Sequence, residues 1–374
     1  MFKRLKNLLY TKIKLKDLPY LQRFKIYRSL ALVSILLTCV ICAFSIKIHH
    51  LSKMQAEIFD SQLLVESDAF QNVSQFKSKY DHHIDTQLFL ITTHLIDVKA
   101  EVMPIEFALT MTYPESWSNS GVTPEINLDN GDILSQDRQY YSVTDGIVEE
   151  IVLYQGQIYP SYNPLLYPLD NQLVSVSLSM KKNNESNTNL AYLEVTKLHY
   201  SDKTSHRNYH LIESGIHNQI QQYSIEIGSG SKQFYDFSNV VFLKYSHKNI
   251  YSYLKIIQYI ILSILIATFA LLINPRVGTA ISGRISVIGS SVFSLSANIF
   301  QVNTLIRPVS GITLIDIMTA FAGLIILLCF LITTRTIKLN DEFGYDASKV
   351  YDLIMFRVLI FYIIAFFTIT YIQV

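Results

Sequence analysis

Cysteine and charged residues are scarce in this 374-residue chain. The three cysteines, Cys39, Cys42 and Cys329, all lie in long apolar runs, so the polar middle of the chain has none with which to form a disulfide. That region must therefore be stabilised by a hydrophobic core of its own. Charged residues make up only 16% of the chain and hydrophobic residues 50%, a composition between that of a soluble protein and that of a transporter.

The motifs of common enzymes are also missing. The sequence contains neither a phosphate-binding glycine loop nor a nucleophile elbow. Asp81, His82, His83 and Asp85 are close together but lack the spacing that fixes a tetrahedral metal site, so a solvated hinge is the better interpretation. We therefore expect no enzyme activity, no metal or other cofactor and no nucleic-acid partner.

Five apolar runs are what the sequence has instead. A helix needs about 20 apolar residues to cross a bilayer, and the chain therefore predicts a membrane protein. The predicted segments are a basic N-terminal segment, a transmembrane anchor, a helical stalk, a β-sandwich and four transmembrane helices. Their predicted ranges are 1–28, 29–48, 49–84, 85–250 and 251–374, with the last four helices near 253–273, 285–302, 312–334 and 353–371.

The distribution of charge predicts the orientation. Before the first apolar run the chain has nine basic residues and one acidic residue, Asp17, so the positive-inside rule places the N-terminus in the cytoplasm. Alternation of the five spans then places the β-sandwich and the C-terminus outside. The first span is either a retained anchor or a cleaved signal peptide, since Ala43 and Ser45 are small residues of the kind a signal peptidase accepts.

The spacing of apolar residues distinguishes the predicted stalk from the predicted sandwich. Residues 49–80 are polar, lack glycine and proline, and carry apolar residues at loose helical spacing. From about Asp85 the apolar residues alternate, and seven or more short segments bounded by turn residues predict the strands of an all-β sandwich of roughly 160 residues. The predicted strands include residues 87–96, 104–112, 146–154, 172–180, 191–199, 223–227 and 239–245.

One turn motif stands out within the predicted sandwich. Residues 167–172 read Tyr-Pro-Leu-Asp-Asn-Gln and are followed by strictly alternating residues from Val174 onward. Pro168 favours a turn because its ring fixes φ, and it has no N–H to donate to a strand ladder. Asp170 can cap the backbone or meet a cation. By itself the motif indicates no more than a β-turn.

The order of several motifs resembles the pentameric ligand-gated ion channels, the Cys-loop receptor superfamily, in the bacterial form that lacks the cysteine pair. The resemblance rests on the 167–172 loop, the last strand at 240–244, a predicted turn at Ser282-Gly283-Arg284 before the next helix, and the segments around Arg307 and Asp316. The chain is also similar to an uncharacterised family of bacterial membrane proteins that have an N-terminal anchor and a β-rich outer domain. Both resemblances imply location in a bacterial inner (plasma) membrane.

The channel resemblance implies roles for particular residues. Those expected to couple the outer domain to the helices are Tyr167, Pro168, Asp170, Gln172, Lys244, Arg307 and Asp316. Those expected to line a pore are Ser286, Ser290, Phe293, Ala297 and Phe300. Of these, Phe293 is the expected dewetting constriction, with Phe300 as the alternative if Phe293 packs against a neighbouring helix. Arg284 is expected either to favour anions or to anchor the helix at the lipid headgroups.

Two functions remain open on the sequence. The first is a homopentameric channel whose outer sandwich binds a small ligand, which the sequence does not identify. The second is a non-conducting anchored binding or scaffold protein, because serine-rich membrane helices also occur where helices pack closely without conducting. Membrane lipid and further copies of the chain are the expected partners in either case.

Overall fold

The computed structural model describes residues 15–64, 83–93, 100–116, 124–160, 162–180, 192–201, 209–227, 230–247, 250–274, 278–305 and 311–374. Its contacts divide the chain into two compact units. The helical unit comprises Met1–Met54, Pro164–Leu169 and Asn249–Val374. The β unit comprises Gln55–Asn163 and Asp170–Lys248.

Five long helices occur in the described residues, and each is long and apolar enough to cross a membrane. They are α1 (Tyr20–Leu64), α2 (Ile250–Ala270), α3 (Gly278–Leu305), α4 (Leu314–Phe343) and α5 (Tyr345–Gln373). The predicted fold class is therefore confirmed: an N-terminal apolar helix, a central β domain and four C-terminal apolar helices. α1 runs without a break from the predicted anchor into the predicted stalk, and residues 65–82 of that stalk lie outside the described residues.

Helix α1 packs beside α5 in the helical unit. The hydroxyls of Thr38 and Tyr362 are 2.9 Å apart, and the rings of Phe44 and Phe366 lie 6.1 Å apart, centroid to centroid. The contact residue that is later in α1 meets the contact residue that is later in α5, so the two helices run in the same direction. Their N-termini therefore lie at the same end of the unit.

A buried ion pair joins α2, α3, α4 and α5 at the end of the helical unit where α3 and α5 begin and where α2 and α4 end. Arg284 of α3 is 1% exposed, and its guanidinium lies 2.6 Å from the carboxylate of Asp352 in α5. Arg284 Nε also donates to the carbonyl oxygen of Ile273 (2.7 Å), just past the end of α2, and the Thr336 hydroxyl of α4 donates to Asp352. The guanidinium thus satisfies carbonyls that the end of a helix leaves without intrahelical partners.

This placement corrects two expectations about residues 282–284. They form no turn, because α3 already begins at Gly278 and includes them. A side chain at Gly283 would meet nothing within 4 Å, so the local structure does not require a glycine there. Arg284 faces the packed interior, and it serves neither as a headgroup anchor nor as a pore charge in this arrangement.

The β unit is a sandwich of two sheets. Its described strands are β1 (His83–Thr93), β2 (Met103–Pro114), β3 (Ile126–Leu128), β4 (Gly131–Thr144), β5 (Ile147–Ile158), β6 (Asn171–Met180), β7 (Tyr192–Tyr200), β8 (His210–Ile227) and β9 (Gly230–Ser246). One sheet has the order β4-β5-β2-β1-β7 and the other β3-β6-β9-β8. β1 and β7 pair in parallel, whereas the other pairs are antiparallel.

The core of the sandwich follows from the two-residue period. Along β2 every second side chain from Met103 to Tyr113 is buried, and alternate residues of β6 from the facing sheet, including Val174 and Val176, join the same cluster. Burial of a side chain of this size contributes roughly 1.5–3 kcal/mol. A continuous apolar core of this kind explains how the unit is held together without disulfides.

Candidate functional site

The predicted coupling loop is divided between the two units. Pro164–Leu169 belongs to the helical unit, and the β unit resumes at Asp170. Within the loop, Tyr167 N donates to Pro164 O (3.1 Å), and the Tyr167–Pro168 peptide bond is cis. The chain therefore passes from one unit to the other inside the motif that the sequence singled out.

The loop is bonded to the start of α4. Leu314, the first residue of that helix, donates its backbone N–H to Leu165 O at 2.8 Å. Next to this bond, the Asp316 carboxylate accepts from the backbone N–H of Thr313 (2.9 Å), while Asp316 N donates to the Thr313 hydroxyl (3.3 Å), a complete capping box. The structure thus brings Asp316 and residues 164–169 together at the N-terminus of α4.

Asp170 is completely buried at the beginning of β6. Its Oδ2 accepts hydrogen bonds from the Gln172 amide and, at 3.2 Å, from the Tyr209 hydroxyl. Gln172 also donates to Asn163 O and accepts from Asn163 N, both at 3.0 Å. Because an unpaired buried carboxylate is costly, these bonds fix the conformation of the chain where it enters β6.

Among the residues that the structure describes, His247, which the sequence did not single out, lies close to Asp170. Its Nδ1 lies 3.6 Å from Asp170 Oδ1, its backbone N donates to Asp170 O at 3.0 Å, and its ring stacks on Tyr209 with centroids 4.6 Å apart. Lys244, one of the predicted coupling residues, donates to the Glu213 carboxylate on β8 at 3.3 Å. Arg307, the other predicted basic residue, lies outside the described residues.

The predicted pore-lining residues share one exposed face of α3. Phe293 is 80% exposed and Phe300 74% exposed, and Ser286, Ser290 and Ala297 are exposed as well. The buried residues of the same helix lie about 160° around the helix axis. They are Arg284, Ile288, Ser291, Leu295, Asn298 and Val302. The residues predicted from the sequence therefore lie within a wider exposed face of α3, which also includes Ile285, Val292 and Ile299.

Several serine hydroxyls on α3 donate to backbone carbonyls of the helical unit. Ser290 donates to Val287 O at 2.7 Å, Ser291 to Ile288 O at 2.6 Å, and Ser294 to Tyr259 O of α2 at 3.5 Å. Since serine satisfies itself against the preceding turn, an exposed serine face is stable next to either water or lipid.

A second buried carboxylate, Glu150 on β5, lies near the outer strand of its sheet. It accepts from the Tyr113 hydroxyl at 3.1 Å and lies 3.0 Å from Arg138 Nε. Burial, with the nearby Glu150 charge as a second cause, raises the pKa of Tyr113 and of Tyr154 above the usual tyrosine value. Both phenols therefore stay neutral at ordinary pH, which fits a structural hydrogen-bond network rather than an acid–base site.

No cluster of three or more His, Cys, Asp or Glu residues in the described ranges is placed to hold a metal ion. Of the predicted hinge, His83 and Asp85 lie 3.8 Å apart on β1, whereas residues 81 and 82 lie outside those ranges. Compared with known proteins, the sequence matches no family model and no curated protein.

Proposed function

We propose that the protein is an ion channel formed by several copies of the chain around a pore lined by α3. The observation that carries this proposal is that all five residues expected to line the pore are among the residues that α3 exposes. Ser286 and Ser290 would supply a polar surface, and Phe293 a narrow apolar constriction that excludes water. Reconstitution of the full chain in planar bilayers, with recording of single-channel currents, tests this function.

An apolar groove beside the proposed pore face supports assembly into an oligomer. It lies between α3 and α4, has a volume of about 450 Å³, and is lined by residues that include Gly289, Val292, Gly323 and Phe330. A side chain added at either glycine would meet nothing within 4 Å of its own chain. Small residues let membrane helices approach closely, so a helix of a second copy is the occupant we propose. Native mass spectrometry of the full chain would give the number of copies, for which the resemblance implies five.

The loop bonded to α4 is the proposed route from the β unit to the pore. Asp170 and Gln172 fix the start of β6, and the preceding residues 164–169 are bonded to Leu314. A small ligand bound by the sandwich would act on α4 through this loop. His247, which precedes α2 by three residues, would give Asp170 a second connection to the helices.

We predict that Asp170→Asn weakens both folding and gating. The change removes the charge at nearly constant volume, and charged hydrogen bonds are stronger than neutral ones, so the free energy of unfolding should fall by about 1–3 kcal/mol. Asp85→Asn is the matched control, because the Asp85 side chain is 61% exposed. Chemical denaturation of both variants, together with current recordings, checks the prediction. Equal effects of the two substitutions would contradict the proposed role of Asp170.

The proposed orientation places the N-terminus in the cytoplasm and the β unit and C-terminus outside, in a bacterial inner membrane. It rests on the nine basic residues before the first span and on the five candidate spans. We predict that a reporter active only in the cytoplasm works when fused before Met1 and fails when fused after Val374. A reporter that works at both ends would contradict five retained spans.

The alternative is a non-conducting membrane scaffold. It is favoured by the apolar character of part of the exposed α3 face, where Phe293, Phe300 and the flanking Ile299 suit contact with lipid or with protein. In that case the helices would only anchor the β unit and join copies together. A defined oligomer that carries no current, either unaltered or with Phe293 replaced, would favour the scaffold over the channel.

A further inference from the structure

Polar side chains without partners are concentrated at one end of the helical unit. Asn298 of α3 is 1% exposed, and neither its amide oxygen nor its amide nitrogen has a hydrogen-bond partner among the described residues. The same holds for the Gln301 amide oxygen on α3 and for the hydroxyl of Tyr253 on α2, which is 3% exposed. Native proteins rarely leave buried groups in this condition, and an internal water is a common explanation.

These three residues lie at a similar height in the helical unit. Ser294 of α3 contacts Tyr259 of α2, and α2 and α3 run in opposite directions because a short connection joins them. Tyr253 precedes Tyr259 by six residues, about 9 Å along the axis, and Gln301 follows Ser294 by seven residues, about 10.5 Å in the same direction. Asn298 lies between, about 6 Å beyond Ser294.

The burial of Asn298 limits what can bind it. With 1% of its surface exposed, it cannot be reached by a lipid headgroup or by the side chain of another copy. A buried cation would need a negative partner, but α2 and α3 contain no acidic residue, and Asp316 of α4 is exposed and engaged by Thr313. The ligand must therefore be small, neutral and able both to donate and to accept hydrogen bonds.

We propose that Asn298, Gln301 and Tyr253 enclose an internal water-binding site between α2 and α3. Asn298 offers both a donor and an acceptor, Gln301 an acceptor and Tyr253 either, which meets the two to four partners that an internal water needs. The site lies behind the exposed α3 face and does not depend on whether that face conducts ions.

A high-resolution map of the full chain tests the proposal directly. At a resolution that shows ordered water, density is expected within hydrogen-bond distance of the Asn298 amide and of Gln301 or Tyr253. An empty space there, or an Asn298 amide bonded to a backbone carbonyl of its own helix, would overturn the proposal.

Asn298→Leu gives a second test, by thermal unfolding of the full chain in detergent. Leucine would displace the water and leave Gln301 and Tyr253 without a partner, so the unfolding midpoint should fall. The same substitution at the exposed Asn303 is the matched control and should leave the midpoint unchanged.

A combined variant tests whether the three residues act together. Adding Gln301→Leu and Tyr253→Phe to Asn298→Leu removes every polar group of the site, so the midpoint should return toward that of the unaltered chain. If Asn298→Leu alone leaves the unfolding midpoint unchanged or raises it, the Asn298 amide binds no water and the proposed site does not exist. Because the readout is stability and not current, failure of this proposal is distinguishable from failure of the channel proposal.

Discussion

Replacing Phe293 with serine is expected to raise the resting current of the reconstituted protein. The Phe293 side chain is 80% exposed in the single chain, so no neighbouring helix of that chain holds it. Repeated around a symmetric pore, the ring would leave a narrow, apolar passage that excludes hydrated ions, and a serine hydroxyl would allow water to enter. The measurement is single-channel recording at zero ligand, for the unaltered chain and for Phe293→Ser at equal protein density.

Two adjacent serines provide the matched control for the pore face. Ser290 is exposed next to Phe293, whereas Ser291 is completely buried on the opposite side of α3. Ser290→Cys should react with a water-borne thiol reagent and alter the current, and Ser291→Cys should not. If both cysteines react equally, and Phe293→Ser forms a stable oligomer without current, α3 is not a pore wall.

The sequence was most informative where burial of one side of an element produces a regular spacing of apolar residues. The apolar runs predicted the membrane-spanning helices, and alternation predicted most of the sandwich strands, because both periods arise from one side of an element facing a core or lipid. Strand β4 was missed because it is an edge strand with side chains exposed on both faces over most of its length, so no alternation marks it. β3 is only three residues long.

Contacts between distant residues account for what the sequence could not predict. Asp170 and His247 are brought together by the pairing of β6 with β9, in which Asn171 lies opposite Ser246. No local pattern distinguishes His247 from Lys244 as the neighbour of Asp170. The start of α3 was also misplaced, because the Ser282-Gly283-Arg284 segment has turn-forming residues that the helix accommodates in its first turns.

The ion pair between Arg284 and Asp352 is the second place where a large effect is expected. Both side chains are almost completely buried, at 1% and 4% exposed, and they join α3 to α5. Removing one partner of a buried pair leaves the other charge uncompensated, at a cost of about 3–5 kcal/mol. We therefore expect Asp352→Asn to lower the free energy of unfolding of the full chain by this amount, as measured by denaturation in detergent.

Two further variants distinguish the cost of an unpaired buried charge from the cost of losing an ion pair in general. Lys25 and Glu342 also form an ion pair, but their side chains are 33% and 37% exposed, so Glu342→Gln should cost about 0–1 kcal/mol. Arg284→Met combined with Asp352→Leu removes both buried charges and should recover most of the stability that Asp352→Asn loses, because apolar side chains need no charged partner there. If Asp352→Asn costs no more than Glu342→Gln, Arg284 is not buried as a charge in the folded protein. Its guanidinium would then reach water or headgroups, as the sequence first suggested.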